Sequence, residues 1–138
     1  MAKDKIHELV KQVLLNDGWT ITHDPYIIET KDVEYEIDLA AEKIVGAEKE
    51  GKKIAVEVKS FIATSFVYEF HRILGQILNY SLGIEDFEPD RMLFLAVPSK
   101  IYEKYFSLSF VQKAVKRFKI KLLIFDDETQ IIIQWKIK

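Results

Sequence analysis

The sequence predicts an α/β sandwich in which helices flank a mixed central sheet. Segments with the apolar spacing of a helix interleave with segments that alternate as strands do, and this order is typical of α/β folds. No linker, internal repeat or low-complexity stretch divides the 138 residues. That length is typical of one domain, so residues 1–138 are predicted to form a single domain.

The first predicted element is an amphipathic helix over residues 3–17. Its apolar positions recur at helical spacing, and they are Ile6, Leu9, Val10, Val13 and Leu14. Gly18 can end this helix, and residues 19–22 then form a short extended segment before the Asp24-Pro25 turn signal. Because the helix contains acids and lacks a small-residue cleavage site, it does not resemble a signal peptide.

Two strands joined by a tight turn at Glu50-Gly51 are predicted next. Residues 34–41 alternate with period two, and residues 53–59 do the same. In the second strand the aliphatic side consists of Ile54, Val56 and Val58. The opposite side consists of Ala55, Glu57 and Lys59.

The second half of the chain is predicted to alternate between helices and strands. Thr64 or Ser65 can cap a long helix that runs to about Leu82, with Gly83 just beyond it. Residues 92–97 form a continuous apolar run, which is typical of a strand covered on both faces. The remaining predicted elements are helices at 101–105 and 109–118 and strands at 121–125 and 130–136.

Composition excludes several kinds of site. The chain has no cysteine, so it has neither disulfides nor thiolate zinc sites, and its three histidines are too dispersed for a histidine zinc site. Nucleotide-binding loops and a hydrolase nucleophile elbow are also absent. No apolar run approaches the ~20 residues that cross a bilayer. We therefore expect a cytoplasmic protein that does not enter a membrane.

The charge distribution allows a contact with nucleic acid without requiring one. A net charge of −2 does not favour strong non-specific binding to phosphates. Residues 113–121, however, contain several cations and no acid. These candidate nucleic-acid-binding residues are Lys113, Lys116, Arg117, Lys119 and Lys121.

The residues that could carry chemistry are Asp38, Glu57 and Lys59. If the two predicted strands pair, both acids and the lysine project from one face, whereas a slip of one residue would separate them. Two converging carboxylates repel each other, and a hard cation such as Mg²⁺ or Mn²⁺ relieves that repulsion. A metal there would activate water for phosphoryl chemistry. The alternative is an ordinary solvated hairpin in which Asp38 pairs with a lysine.

A polar stripe on the long helix favours the first interpretation. Glu69, Arg72, Gln76 and Tyr80 recur every three to four residues and border an apolar face. A stripe in that position can overlook a site on the sheet, although a surface helix with ordinary hydrogen bonds would show the same spacing.

Together these residues resemble those of known families. Asp38 followed by Glu57-Val58-Lys59 resembles the PD-(D/E)xK nuclease superfamily, and Gln76 with Tyr80 resembles a motif of its RecB-like members. The whole chain resembles the XisH family of excision controlling factors. The segments that carry this likeness are DGWTITHDP (17–25), IDLAAEK (37–43), IAVEVKSF (54–61), EFH…LGQ…NY (69–80), FLAVP (94–98) and IIQW (132–135).

The resemblance implies a restriction-endonuclease-like fold, a role in the programmed excision of a DNA element, and a small partner of the XisI type. It implies that Asp38 and Glu57 are metal ligands, that Lys59 is catalytic, and that Gln76 and Tyr80 support them. The proline that precedes the first aspartate in the superfamily is Ile37 here. The acid on the first helix would be Glu8, and His7 is a second accessory candidate.

Three functions stay open at this point. The first is a metal-dependent DNA endonuclease, and the second is a catalytically silent recombination accessory factor that binds DNA or a partner protein. The third is a toxin–antitoxin-like or defence module in which a partner restrains a nuclease. Residues 130–136 (QIIIQWK) also predict a sticky edge strand and therefore a homodimer.

Overall fold

A mixed six-stranded sheet with helices on both of its faces forms the body of the protein, and a second, two-stranded sheet packs beside it. This architecture is seen in a computed structural model that describes residues 2–45, 50–61 and 65–137. The predicted α/β sandwich with a mixed central sheet is confirmed. Within these ranges, no helix is both long and apolar enough to cross a membrane.

The described elements, in chain order, are four helices and eight strands. They are α1 (Ala2–Asn16), β1 (Thr20–His23), β2 (Tyr26–Glu29), β3 (Glu34–Ile37), β4 (Leu39–Val45), β5 (Glu50–Val58), α2 (Phe66–Phe87), β6 (Arg91–Pro98), α3 (Ser99–Tyr105), α4 (Ser109–Arg117), β7 (Lys121–Asp126) and β8 (Ile131–Lys136).

The large sheet has the strand order β1-β4-β5-β6-β7-β8. Strand β6 pairs in parallel with β5 on one side and with β7 on the other. The other pairings in this sheet are antiparallel. The parallel strands are joined by helical crossovers, as parallel pairing requires. Strand β6, the predicted apolar run, lies in the middle of the sheet and is almost entirely buried.

Side chains that alternate along the strands fill two separate layers. On one face the sheet packs against α1, with Val10, Val13 and Leu14 fully buried. Trp19 and Trp135 lie in this layer, with ring centroids 5.6 Å apart. The other face is covered by α2, α3 and α4, and by the small sheet.

The predicted strand over residues 34–41 is wrong in one respect, because it is two strands that belong to different sheets. Strand β3 pairs with β2 in the small sheet, whereas β4 pairs with β1 and β5 in the large one. The chain bends at Asp38 between them. Strand β2 was not predicted, and its alternation of buried and exposed residues follows from one face packing on α2.

Two predicted stops also differ from the structure. Gly51 is not part of a turn but is paired with Ile44 inside the β4–β5 ladder, and the connection at residues 46–49 lies outside the described residues. Helix α2 does not end before Gly83 but continues to Phe87. Gly83 is buried, and a Cβ there would lie 3.0 Å from the Tyr35 ring, so close packing explains this glycine. Of the two predicted caps, Ser65 is confirmed by the hydrogen bond that its side chain accepts from the Tyr68 N–H, and Thr64 lies outside the described residues.

Arg91 ties the amino-terminal end of β6 to its surroundings. Its side chain is 1% exposed and forms two hydrogen bonds of 2.9 Å with the Glu88 carboxylate. A third bond of 2.9 Å reaches the Ile54 carbonyl of β5. The guanidinium lies over the Tyr26 ring at 4.9 Å, and Tyr26 donates to Glu88. Because every partner is polar or aromatic, the buried charge is well compensated.

We expect Arg91→Met to lower the free energy of unfolding by about 3 kcal/mol, because it removes both hydrogen bonds of the ion pair with Glu88 and the donor to the Ile54 carbonyl. Urea denaturation followed by circular dichroism measures this. Lys100→Met is the matched control, since it removes a cation from an ion pair with Glu128 that is exposed on both sides. Equal losses in the two variants would contradict the assigned role of Arg91.

Candidate functional site

Asp38 and Glu57 lie opposite each other at one end of the β4–β5 ladder. The last pair in the register is Leu39 with Val56, so the next position outward places Asp38 across from Glu57. Both side chains project from the face that is opposite to the α1 core, as their neighbours Leu39 and Val56 project into that core. The predicted parity of the two acids is therefore confirmed.

Each carboxylate is held by a backbone N–H of the other strand. The Asp38 N–H donates to Oε1 of Glu57 at 3.2 Å, and the Val58 N–H donates to Oδ2 of Asp38 at 2.8 Å. These two bonds close the end of the hairpin where the strand ladder stops. Among the described residues, no N–H group donates to Oδ1 of Asp38 or Oε2 of Glu57.

Lys59 completes the cluster. Its Nζ lies 3.9 Å from Oε2 of Glu57, and its backbone N–H extends the β5–β6 pairing by donating to the Ala96 carbonyl. The Glu57 side chain is only 5% exposed, whereas that of Lys59 is 24% exposed. Burial, followed by the nearby charge of Asp38, raises the pKa of the Glu57 carboxyl to about 8, and Lys59 opposes this rise.

Tyr80 approaches the acid pair from α2. Burial raises the pKa of the Tyr80 hydroxyl to about 12, and the charges of Glu57, Asp38 and Glu36 add to this effect. The Tyr80 ring packs edge-on against Tyr35, with centroids 5.7 Å apart. The phenol therefore stays protonated at neutral pH and can donate a hydrogen bond to an anion near the two acids.

The donor set fits a hard divalent cation. Mg²⁺ binds through one or two carboxylates together with water and substrate phosphate oxygens. Asp38 and Glu57 each retain one oxygen for that purpose, and their other oxygens are fixed by the backbone. Burial and the charge of Asp38 disfavour the ionised form of Glu57, and a cation at this position would favour that form.

Comparison with known proteins identifies the family. The family described as XisH protein matches residues 1–133. The chain belongs to the XisH family. Among solved structures it is similar to an XisH family protein from Nostoc punctiforme PCC 73102, with 42% identity and a TM-score of 0.89 over 96% of this chain and 99% of that one. No curated protein sequence matches it.

A second solved relative of this XisH family member comes from Anabaena variabilis and is an fdxN element excision controlling factor protein. Identity is again 42%, the TM-score is 0.88, and the match covers 96% of this chain and 98% of the relative. These matches extend over nearly the whole domain, so the fold around the acid pair is shared.

The other predicted residues of α2 in this XisH protein precede Tyr80 and lie progressively closer to the amino-terminal end of the helix. Gln76 is half-buried one turn before Tyr80. Glu69 and Arg72 form an ion pair of 3.2 Å with each other, and the Arg72 side chain is 53% exposed. Their hydrogen bonds in the described part of the chain do not include Asp38, Glu57 or Lys59.

His7 and Glu8, the accessory candidates on α1, lie near Asp24 instead. His7 Nε2 is 2.8 Å from one Asp24 oxygen, and Lys11 Nζ is 2.8 Å from the other. Glu8 is 70% exposed and approaches Lys11 at 3.9 Å. The His7, Glu8 and Asp24 ligand atoms are close enough to hold a metal. The ammonium of Lys11 already compensates Asp24, however, so this cluster is explained as an ion pair.

The predicted basic residues all lie on or just after α4. Lys113, Lys116 and Arg117 are exposed on the helix, and Lys119 is exposed just after it. Lys121 is half-buried at the start of β7. The helix packs on α2 through Phe110 and Phe70, and its residues belong to the α2-side core and not to the acid pair.

Sequence reasoning missed Glu36 and Tyr35 as neighbours of the site. Glu36 contributes charge at Tyr80, and Tyr35 positions the Tyr80 ring. The alternation of Glu36 with Asp38 was a usable signal for the first. Asp24 was interpreted only as a turn residue, and nothing in its local sequence indicates that it accepts from both His7 and Lys11.

The pKa of Glu57 predicts an unusual dependence of stability on pH. In buffer with EDTA, folded Glu57 keeps a proton that the unfolded chain loses near pH 4.5. The folded state thus binds more protons between about pH 5 and 8, and its free energy of unfolding falls as pH rises, by up to about 1.4 kcal/mol per pH unit.

We expect Glu57→Gln to flatten that slope and Glu103→Gln, an exposed acid on α3, to leave it unchanged. Urea denaturation at a series of pH values measures the difference. Parallel curves for wild type and Glu57→Gln would show that the folded carboxyl titrates normally.

Proposed function

We propose that this protein is a divalent-metal-dependent DNA endonuclease that acts in the controlled excision of a DNA element. The observation that carries the proposal is the pair Asp38 and Glu57, each anchored by one backbone N–H and each with one oxygen left for a cation. Membership of the XisH family and the 42% identity to an fdxN element excision controlling factor protein support the excision role.

In this proposal the site follows the PD-(D/E)xK pattern of a restriction-endonuclease-like fold. Asp38 and Glu57 would hold Mg²⁺ or Mn²⁺. When bound, such an ion supplies positive charge for a phosphoryl oxygen and lowers the pKa of a coordinated water. Hydrolysis adds water to phosphorus, breaks one ester P–O bond and gives a proton to the leaving oxygen.

The remaining residues of the site stabilise charge and restrict the substrate. The Lys59 ammonium, held beside Glu57, orients the attacking water or stabilises the negative charge that grows on the phosphate. The Tyr80 phenol donates a hydrogen bond to the same anion, and Gln76 lies next to it on α2 as a supporting residue. The buried wall around Glu57 strengthens these interactions because it lowers the local dielectric.

We expect Asp38→Asn, Glu57→Gln and Lys59→Met each to reduce metal-dependent cleavage by about 10²-fold or more, because each removes charge from the reacting centre. Nicking of supercoiled plasmid in Mg²⁺ or Mn²⁺ measures the rate, and isothermal titration measures metal binding. Glu103→Gln serves as the control with the same change of charge. Equal nicking by wild type and the Glu57→Gln/Lys59→Met double variant would reject the endonuclease.

A second candidate is a catalytically silent recombination accessory factor built on the same scaffold. The observation that favours it is the placement of the basic residues on α4, apart from the acid pair. In that case the substitutions at Asp38, Glu57 and Lys59 would leave excision intact in a reconstituted reaction. Loss of DNA contact would instead follow from changes on α4.

Protein partners belong to the proposal as well. An XisI-type partner follows from the family resemblance, and a second copy of the chain follows from the edge strand β8. Strand β8 ends the sheet, so within the described part of the chain one side of its backbone has no neighbouring strand. Ile131 and Ile133 are 51% and 54% exposed along it. Unpaired backbone groups next to exposed aliphatic side chains favour pairing with another strand.

We expect light scattering at high concentration to show a dimer that Ile133→Lys converts to a monomer, because a charge on β8 blocks edge-to-edge pairing. Val67→Lys, at a similarly exposed position on α2, is the control. A monomeric wild type at every concentration would exclude this mode of association.

A further inference from the structure

The outer face of α4 carries a groove lined by two phenylalanine rings and three cations. The groove has a volume of about 710 Å³, and its lining residues are Phe110, Lys113, Ala114, Lys116, Arg117 and Phe118. Val111 of the same helix is fully buried in the core, and none of the residues that line the groove belongs to the acid pair. It is therefore a different site from the acid pair.

Both phenylalanine rings of the groove are partly exposed to solvent. Phe110 is 40% exposed and Phe118 is 47% exposed. Phe110 is nevertheless fixed in place, because its ring meets Phe70 of α2 at right angles with centroids 5.8 Å apart. One ring of the groove is thus a rigid aromatic platform that presents part of its surface to solvent.

The charge around the rings is positive and uncompensated. Among the ion pairs formed by described residues, none involves Lys113, Lys116, Arg117, Lys119 or Lys121. Lys116 and Arg117 lie in the last turn, where the helix dipole stabilises them. The dipole does not explain Lys113, which lies mid-helix between the two rings, and it does not explain the exposed rings.

The spacing fits a short polynucleotide strand. Phe110 and Phe118 are eight positions apart along the chain, which corresponds to about 12 Å along a helix axis. A single strand can extend to about twice the ~3.4 Å step of a duplex strand, so that distance spans two to four nucleotides. Lys113 and Arg117 lie between the rings, where phosphates of such a strand would pass.

We propose that this groove binds single-stranded DNA, with bases stacked on Phe110 and Phe118 and phosphates bound by the cations of α4. Sequence-tolerant strand binding combines these two elements, aromatic platforms and a basic track. Bases in an intact duplex already stack on one another and cannot cover the rings. An acidic peptide would satisfy the cations and leave the rings uncovered. The inference deepens the second candidate function, which already places a DNA contact on α4, and it does not require the acid pair to cleave.

Fluorescence anisotropy with labelled single-stranded DNA of about 12 nucleotides tests the groove, and EDTA in the buffer prevents cleavage. We expect Phe110→Ala and Phe118→Ala each to weaken binding about tenfold. Phe110→Tyr should retain binding, because it keeps the aromatic ring and its contact with Phe70. Phe87→Ala removes an exposed ring from α2 and serves as the control.

The cations are tested by salt dependence. For Lys113→Gln/Arg117→Gln we expect the slope of log affinity against log salt to become shallower by about 1.4, since two phosphate contacts are lost from a single strand. Lys100→Gln/Lys104→Gln on α3 should leave it unchanged. Duplex DNA of the same sequence should bind more weakly than the single strand.

Several outcomes would overturn the inference. They are wild-type affinity in both alanine variants, tighter binding of the duplex, preference for RNA of the same sequence, or equal competition by polyglutamate of the same charge. Because affinity is measured without metal, failure here is distinct from failure of cleavage at Asp38 and Glu57.

Discussion

Two backbone N–H groups hold the two acids at the end of the β4–β5 ladder. Carboxylates at the buried end of a strand pair lose hydration and repel each other. The N–H groups of Asp38 and Val58 offset part of that cost and orient both side chains in one direction. The compensation is incomplete, because no N–H of the described residues donates to the other oxygen of either acid, and the Lys59 ammonium lies 3.9 Å from Oε2 of Glu57.

The register of the β4–β5 pair places the two acids opposite each other. Leu39 pairs with Val56, and both are fully buried against α1, so a slip of one residue would expose the aliphatic layer. The hydrophobic core thus fixes the register, and the register fixes the distance between the acids. Arg91 adds support further along β5 by donating hydrogen bonds to the Ile54 carbonyl and to Glu88.

Much of the architecture could be predicted because local patterns and tertiary packing agree. The apolar stripe of α1, the alternation in β5 and the continuous run in β6 each have a single efficient way to be buried. The break at Asp38 could not be predicted, since residues 34–41 alternate without an interrupting glycine or proline while the strand changes partners. Gly83 does not mark the end of a helix, because its small size instead allows close contact with the Tyr35 ring. The pairing of Asp38 with Glu57 followed from parity alone. The approach of Tyr80 and Glu36 depends on how α2 and the small sheet pack, which spacing does not encode.

The bend at Asp38 makes this acid the joint between two sheets of unequal strength. A two-stranded sheet is marginal by itself, and β2–β3 depends on burying Tyr26, Ile28 and Ile37 against Ile84 of α2. Local opening of the small sheet would free the residue before Asp38, and the Asp38 carboxylate would then no longer be held in one orientation. A ligand that binds both acids would therefore restrict the motion of the small sheet, and amide hydrogen exchange in β2 and β3 would slow when the ligand is bound.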